Sequence, residues 1–291
     1  MSETTGPLKE RLGRHGVWDV GLRAEDPARR GEQEDAAAEL EELDFGAIWL
    51  GGNSTAENAA PLIGITRHIT VGTSIQSVWQ RDAATTAADF ARLESSHPGR
   101  FLLGLGVSHG PRVEGYHRPY SAMVDYLDEL DKAGVPAGRR VLAALGPKML
   151  TLAGHRAAGA IPYLVTPEHT AEAREILGQG PLLAPEFKVV LESDPTRARD
   201  IARAYLARYL ELPNYTNNFL RLGFGEDDVA GGGSDRLIDA VFAWGTDDRI
   251  SSRIRAFHQA GADHVALQVV TENPGVTLPR EQWRRLALLL R

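Results

Sequence analysis

Residues Phe101 to Pro111 read FLLGLGVSHGP, and within them Gly106-Val-Ser-His-Gly110 fits G-x-S-x-G, the pattern that places a serine nucleophile on a tight strand-to-helix turn. An α/β-hydrolase would need an acid and then a histidine further along, and Asp228 followed by His258 or His264 stands in that order. The context decides against this reading of Ser108. The turn requires a helix directly after its second glycine, whereas Pro111, Gly115 and Pro119 all follow within nine residues of Gly110. A dinucleotide-binding turn fails on the same stretch, because His109 stands where the third glycine after Gly104-x-Gly106 belongs. What is left is a strand running out into a glycine, serine and histidine loop. In a barrel, that end of a strand carries the active site.

Outward from this strand, short β-branched runs alternate with stretches of helical period along the whole chain, the pattern of βαβ units. Strands are expected near Val17–Leu22, Ala47–Gly51, Ile69–Val78, Phe101–Val107, Arg140–Leu145, Ala160–Val165, Ala184–Leu191 and His264–Val270. Helices are expected near Glu32–Leu43, Asn58–Thr66, Asp82–Glu94, Ala122–Lys132, Lys148–Ala158, Glu168–Leu177, Thr196–Leu210 and Arg280–Leu290. Asp82, Thr166 and Asp194 sit at N-cap positions, and Pro167 and Pro195 in first turns. Eight strands with eight helices fit an α/β fold of the closed (β/α)₈ TIM-barrel type, which leaves no edge strand. Ser193 to Asp263 is too long for one connection and carries helical patterns at Tyr215–Leu222 and Arg236–Trp244. It reads as a helical insertion, residues 193–263, between strands seven and eight of one domain spanning 1–291.

Composition narrows the partners. A 291-residue chain with 43% hydrophobic and 24% charged residues is an ordinary globular one, with no apolar run near the roughly 18 residues a spanning helix needs. The polar N-terminus has no signal-peptide core, so a cytoplasmic location off the membrane is expected. With no cysteine there is no disulfide or thiolate metal site, and no histidine spacing suggests a metal. A net charge of −7 without a basic block points away from nucleic acid and toward a small-molecule substrate.

The barrel rule also sorts the nine histidines. His68, His97 and His264 precede strands and read as solvated or capping residues on the stability face. His109, His117 and His169 follow strands four and six on the catalytic face. The third strand, ITVGTSIQSVW, is polar for a barrel strand at Thr73, Ser74, Gln76 and Ser77, which suggests a bulge whose end faces a ligand. Hydroxyls that merely satisfy local backbone groups explain it equally well. Trp18, Trp49 and Trp79 fall on or just beyond the first three strands, as pocket walls or as core. After strand six, YLVTPEHT opens a helix whose free amides favour an anion, although Pro167 removes one donor and Glu168 adds a repelling charge.

Taken together, DFGAIWLGG, ITVGTSIQSVW, HPGRFLLGLGVSHGP, RVLAALGPKML, IPYLVTPEHT, LPNYTNNFLRLGF and GGSDRLIDAVFAWG form a collinear series over nearly the whole chain. By these the chain resembles the luciferase-like monooxygenase superfamily, specifically its actinobacterial deazaflavin-dependent oxidoreductases. The resemblance implies a (β/α)₈ barrel with an insertion after strand seven, coenzyme F420 or, in cousin branches, FMN, and a homodimer. It also implies a non-prolyl cis peptide at Ser74-Ile75 under the middle ring of the flavin. Gly106 and Ser108 would then pass the ring edge, Gly52 would be a further cofactor-binding residue, and Thr166, Pro167, Glu168 and His169 would lie near the cofactor tail. Relatives that oxidise alcohols carry an Asp-His pair after strand two and a glutamate after strand four, where this chain has Gly52-Asn53 and His109. The resemblance therefore implies hydride transfer that reduces an activated C=C or C=N bond, with His109 as the expected proton donor or acceptor.

Overall fold

A computed structural model describes residues 6–23, 25–110, 113, 115–273 and 275–291; Pro111 of the opening stretch lies outside these. The strands are β1 (His15–Asp19), β2 (Ala47–Gly51), β3 (Thr70–Ser74), β4 (Gln76–Ser77), β5 (Phe101–Gly106), β6 (Arg140–Leu142), β7 (Gly159–Ala160), β8 (Leu182–Leu183), β9 (Glu186–Val190), β10 (Phe242–Trp244) and β11 (Val265–Val269). Every pairing among them is parallel, in the order β10-β9-β11-β1-β2-β3-β5-β6-β7-β8, with β4 also on β5. The two sides of this path meet in one chain segment, since only Ala184-Pro185 separates β8 from β9. Proline has no N–H, which interrupts the regular ladder at that point. Bonds continue across it: Ala184 N donates to Ala160 O at 2.9 Å, Glu186 N to Pro162 O at 2.8 Å, and Ala266 N to Pro185 O at 3.0 Å. The sheet therefore closes into a (β/α)₈ barrel in which β3 with β4, and β8 with β9, are each one strand.

Helices α1 (Gly6–Leu12), α2 (Arg30–Glu42), α3 (Ala56–Ile65), α4 (Ala83–Ser96), α5 (Pro119–Lys132), α6 (Pro147–Arg156) and α7 (Pro167–Leu177) precede the seventh barrel strand. After it come α8 (Pro195–Leu210), α9 (Pro213–Arg221), α10 (Glu226–Val229), α11 (Asp235–Val241), α12 (Asp247–Gln259) and α13 (Arg280–Leu289). The expected caps form: Asp82 accepts from Thr85 N, Thr166 from His169 N and Asp194 from Arg197 N. No described helix is long and apolar enough to cross a membrane.

The region 193–263 departs from the helical insertion read in the sequence. Arg236–Trp244 is not one helix, because α11 stops at Val241 and Phe242–Trp244 pairs with Lys188–Val190 of β9 as a parallel strand. Aromatic Phe242 and Trp244 suit an extended, buried segment, and the free edge of β9 above strand six supplies the ladder. Helix α12, absent from the sequence reading, buries Ile250, Ile254 and Phe257 at helical spacing, with Thr246 as its N-cap.

Side chains alternate between two cores. Trp18, Trp49, Leu102, Val141, Ile161 and Leu182 fill the barrel, while Val17, Ile48, Leu50, Val71 and Leu103 face the helical shell. Each such fully buried side chain contributes about 1.5–3 kcal/mol. A separate cluster, including Leu206, Phe219, Leu237, Ile238 and Phe242, joins the insertion to the end of strand seven. That junction hangs α8 and α9 over the C-terminal mouth of the barrel.

Candidate active site

The third barrel strand is bulged where the sequence suggested. Gly72 pairs with Leu102 but Gln76 pairs with Leu105, so four steps on β3–β4 oppose three on β5. The extra residue falls at Ser74-Ile75, whose peptide bond is cis. Thr73 ties the bulge down, its hydroxyl donating to Gly104 O and accepting from Gly104 N, each at 2.8 Å. A side chain at Gly104 would put its Cβ 1.9 Å from Thr73 O, so glycine is required for the two backbones to meet. Ile75 N donates to Gly52 O at 2.9 Å, and Ser77 N to Asn53 Oδ1 at 2.8 Å. Ile75 lies across the bare backbone of Gly106, where a Cβ would come within 2.8 Å of its Cγ1. The result is a rim on which Gly52 and Asn53 are exposed and Ile75, Val107, Ser108 and His109 are half-buried.

Four of the residues expected to hold a cofactor ring, Gly52, Ser74, Ile75 and Gly106, thus come together, with Ser108 two residues beyond in a left-handed conformation, φ 56°. Thr166, Pro167, Glu168 and His169 form a separate group at the start of α7. Thr166 Oγ1 already caps that helix and Glu168 is exposed, which leaves the first turn a modest anion site. His169 is wholly buried, donates from Nε2 to Leu145 O at 2.8 Å, and is held below the usual histidine pKa by burial. Arg221 of α9 also reaches Leu145 O and holds Asn218 Oδ1 at 2.8 Å. His169 Nδ1 and Asn218 Nδ2 are buried without a hydrogen-bond partner.

The opposite wall of the mouth, Trp18 apart, escaped the sequence reading. Trp18 donates from Nε1 to Ser74 Oγ at 2.9 Å and packs on Tyr163, ring centroids 5.2 Å apart. Tyr163 OH lies 2.9 Å from Tyr205 OH, 2.8 Å from Tyr209 OH and 3.2 Å from Gln268 Oε1, and Gln268 Nε2 donates to Tyr205 OH at 2.7 Å. Beneath them Lys188 Nζ donates to Glu186 Oε2 at 2.6 Å and stands 3.9 Å from the Tyr163 ring centroid. Burial pulls the Lys188 ammonium down to about 8 and pushes the Glu186 carboxyl up, while their pairing opposes both. Tyr215 of α9 closes the wall, 5.4 Å from the Tyr209 ring and 5.3 Å from His109. The available signal was Glu186 and Lys188 two apart on an apolar strand, which places both charges on the barrel's inner face.

Other expected roles are redistributed. His264 is neither solvated nor a cap: it is fully buried at the N-terminal end of the barrel, where Nε2 accepts from Trp49 Nε1 and Nδ1 donates to Gly13 O, both at 3.0 Å. That pairing makes Trp49 a core residue, leaving Trp18 and Trp79 at the mouth. Ser108 ends a strand and His264 begins one, so parallel strands hold them at opposite ends of the barrel. Asp228 is engaged with Gly225 N and Ser234 Oγ at α10, and no hydrolase triad assembles from these residues. His117 packs on Trp79, whose Nε1 donates to Val107 O at 2.6 Å. Two surface cavities of about 580 and 420 Å³ open beside the C-terminal end of strand seven and share Arg197, Ile201, Thr271 and Glu272. None of the expected site residues lines either, so the bulged rim is identified by its geometry and not by cavity size.

A closed parallel barrel with a bulged third strand, a rim at the strand C-termini and a helical cover after strand seven defines a (β/α)₈ protein built for a ligand at its mouth. The family model described as luciferase-like monooxygenase matches residues 14–134 and 135–264, and the chain belongs to that family of oxidoreductases. No curated protein matches the chain. Among solved structures, an F420-dependent secondary alcohol dehydrogenase in complex with an F420-acetone adduct shares 13% identity at a TM-score of 0.71, covering 96% of this chain and 99% of that one. The coenzyme F420-dependent tetrahydromethanopterin reductase from Methanopyrus kandleri shares 15% at 0.68, covering 94% and 97%. The oxygenating constituent of 3,6-diketocamphane monooxygenase from Pseudomonas putida, a type II Baeyer-Villiger monooxygenase in complex with FMN, shares 13% at 0.69, covering 96% and 97%. At these identities the likeness is one of fold.

Proposed function

We propose that the protein is a coenzyme F420-dependent oxidoreductase that transfers a hydride between the deazaflavin and a small organic substrate, reducing an activated C=C or C=N bond. The carrying observation is the rim of β2, β3–β4 and β5, where Ile75 packs on Gly106 and its N–H bonds Gly52 O, with the Arg23 guanidinium lying against Gly52. Such a rim gives a flat ring an apolar support and lets main chain approach its edges. In this reading Gly52, Ser74, Ile75, Gly106 and Ser108 hold the ring. The segment Thr166, Pro167, Glu168 and His169, with Arg221, lies toward the tail, where Asn218 Nδ2 and His169 Nδ1 are a buried donor and acceptor that a bound group would satisfy.

When bound, the cofactor supplies the hydride; the protein supplies binding, orientation and the proton. Reduction suits the residues better than alcohol oxidation. Asn53 is engaged by Ser77 N, and the position after strand four holds His109, with no carboxylate at either place. In this reading His109, whose ring packs on Tyr215, contacts substrate at the rim as an acid or a hydrogen-bond partner. The fold shared with an FMN-bound monooxygenase favours one second reading, in which the same rim takes FMN. Anaerobic incubation with reduced F420 and a panel of enones and imines tests the proposal by loss of the reduced cofactor. Substrate-dependent oxygen uptake with reduced FMN, and no reaction with F420, would select the second reading.

A further inference from the structure

We propose that Arg23 is a catalytic residue of this rim and that the substrate is an α,β-unsaturated carbonyl compound whose oxygen the guanidinium binds; the inference rests on the hydride-transfer reading above and narrows its substrate class. Arg23 follows β1, and its guanidinium fills the space that a side chain at Gly52 would take, where a Cβ would come within 2.8 Å of Nη1. Gly52 O in turn accepts from Ile75 N at 2.9 Å. The cation therefore stands one residue away from the bulge.

Its donors are partly used. An arginine side chain carries five N–H donors in a fixed planar fork. Nη1 donates to Asn53 O at 3.0 Å, and Nη2 lies 3.4 Å from Glu25 Oε2, on a side chain 58% exposed and so screened by solvent. Nε is buried and makes no hydrogen bond to the described residues. A buried donor left unpaired is costly, and an acceptor bound at the rim would satisfy it. Neighbouring acceptors are already engaged, Gly52 O by Ile75 N and Asn53 Oδ1 by Ser77 N.

The loop that carries Arg23 is held from behind. Gln33 of α2, 2% exposed, donates from Nε2 to Gly21 O and to Arg23 O, both at 2.8 Å, and Gly21 N donates to Asp19 Oδ1 at 2.6 Å. Donors fixed in advance need no reorganisation when charge develops on their partner. Arginine also keeps its charge at any working pH.

Charge decides between the two substrate classes. Hydride addition to an enone sends negative charge to the carbonyl oxygen, which a guanidinium stabilises. An imine accepts hydride best as its protonated cation, which the same guanidinium repels. Hydride from the reduced cofactor forms a C–H bond at the β-carbon of the enone. The C=C π pair moves to the bond between the α-carbon and the carbonyl carbon, and the C=O π pair becomes a lone pair on an enolate oxygen held by Arg23. The α-carbon then takes a proton from His109 or water, which yields the saturated carbonyl compound. A proton released on oxidation of the cofactor restores the balance.

Arg23→Gln tests this with two readouts, since glutamine can still donate to Asn53 O but carries no charge. In protein loaded with F420, turnover of a reducible enone should fall about 10²–10³-fold with cofactor affinity unchanged. In cofactor-free protein, 4-nitrophenol serves as a stable mimic of the enolate, and visible absorbance reads its phenolate. Bound to wild type, the probe should have its pKa lowered by about one unit or more from its value in water, and Arg23→Gln should abolish that shift. Should this variant melt far below wild type, Arg23→Lys keeps the charge without the fork: the probe's shift should persist while turnover falls. Wild-type turnover in Arg23→Gln, a shift lost in Arg23→Lys, or a probe that wild type neither binds nor shifts overturns the assignment. Failure to bind any deazaflavin or flavin overturns the functional reading instead, and leaves the probe to judge Arg23 by itself.

Discussion

His264 offers a pH test of the barrel's closed end. It is wholly buried, bridges Trp49 Nε1 and Gly13 O as a neutral imidazole, and is driven down to about 4 by burial. A histidine whose folded pKa is depressed contributes stability that is present above its unfolded value of about 6.5 and lost as pH falls toward the folded value. Between about pH 7.5 and pH 5 this one group should therefore remove about 2 kcal/mol of stability. Asp19, raised to about 7 by burial, acts with the opposite sign over the same window, so the wild-type curve alone does not isolate the histidine. His264→Gln does isolate it, because glutamine offers both an acceptor for Trp49 and a donor for Gly13 but does not titrate. Urea unfolding followed by tryptophan fluorescence at both pH values should show the variant losing about 2 kcal/mol less than wild type on acidification. Equal pH dependence in the two proteins would refute the neutral, doubly bonded His264.

Two further outcomes follow from the same geometry. Asp19→Asn, which keeps an acceptor for Gly21 N, should gain on wild type by about 2–3 kcal/mol as pH rises from about 5 to about 7.5, read by the same unfolding curves; a flat difference would place Asp19 in water. Ser108→Ala should retain turnover within about tenfold, and wild type should resist fluorophosphonate labelling, because Asp228 is engaged at α10 and His264 lies at the opposite end of the barrel from Ser108. Labelling at Ser108 would restore the hydrolase.

The parts of this molecule written in local pattern were legible in the sequence. Proline and N-cap residues set the starts of α7 and α8, apolar runs gave β2 and β5, and the polarity of Thr73 to Ser77 marked the bulge. Strand seven was read only from Ala184, which left out Leu182–Leu183, because the pairing of that segment with β7 across Pro185 is not written in local pattern. Helix α12 carried its signal in Ile250, Ile254 and Phe257, but the long segment around it read as insertion. The tyrosine wall was illegible for a deeper reason. Tyr205 and Tyr209, four apart on α8, look like a packing stripe, and only the fold brings them to Tyr163 and Gln268.

The central claim is that the bulged rim holds a deazaflavin. Trp18 bonds Ser74 at the bulge and Trp79 bonds Val107 at the rim, so two indoles report directly on a ring bound there. Parallel titrations with F420 and FMN, following quenching of tryptophan fluorescence, measure it. The account predicts saturable quenching by F420 at lower concentration than by FMN. Micromolar binding of FMN with no response to F420 would contradict it.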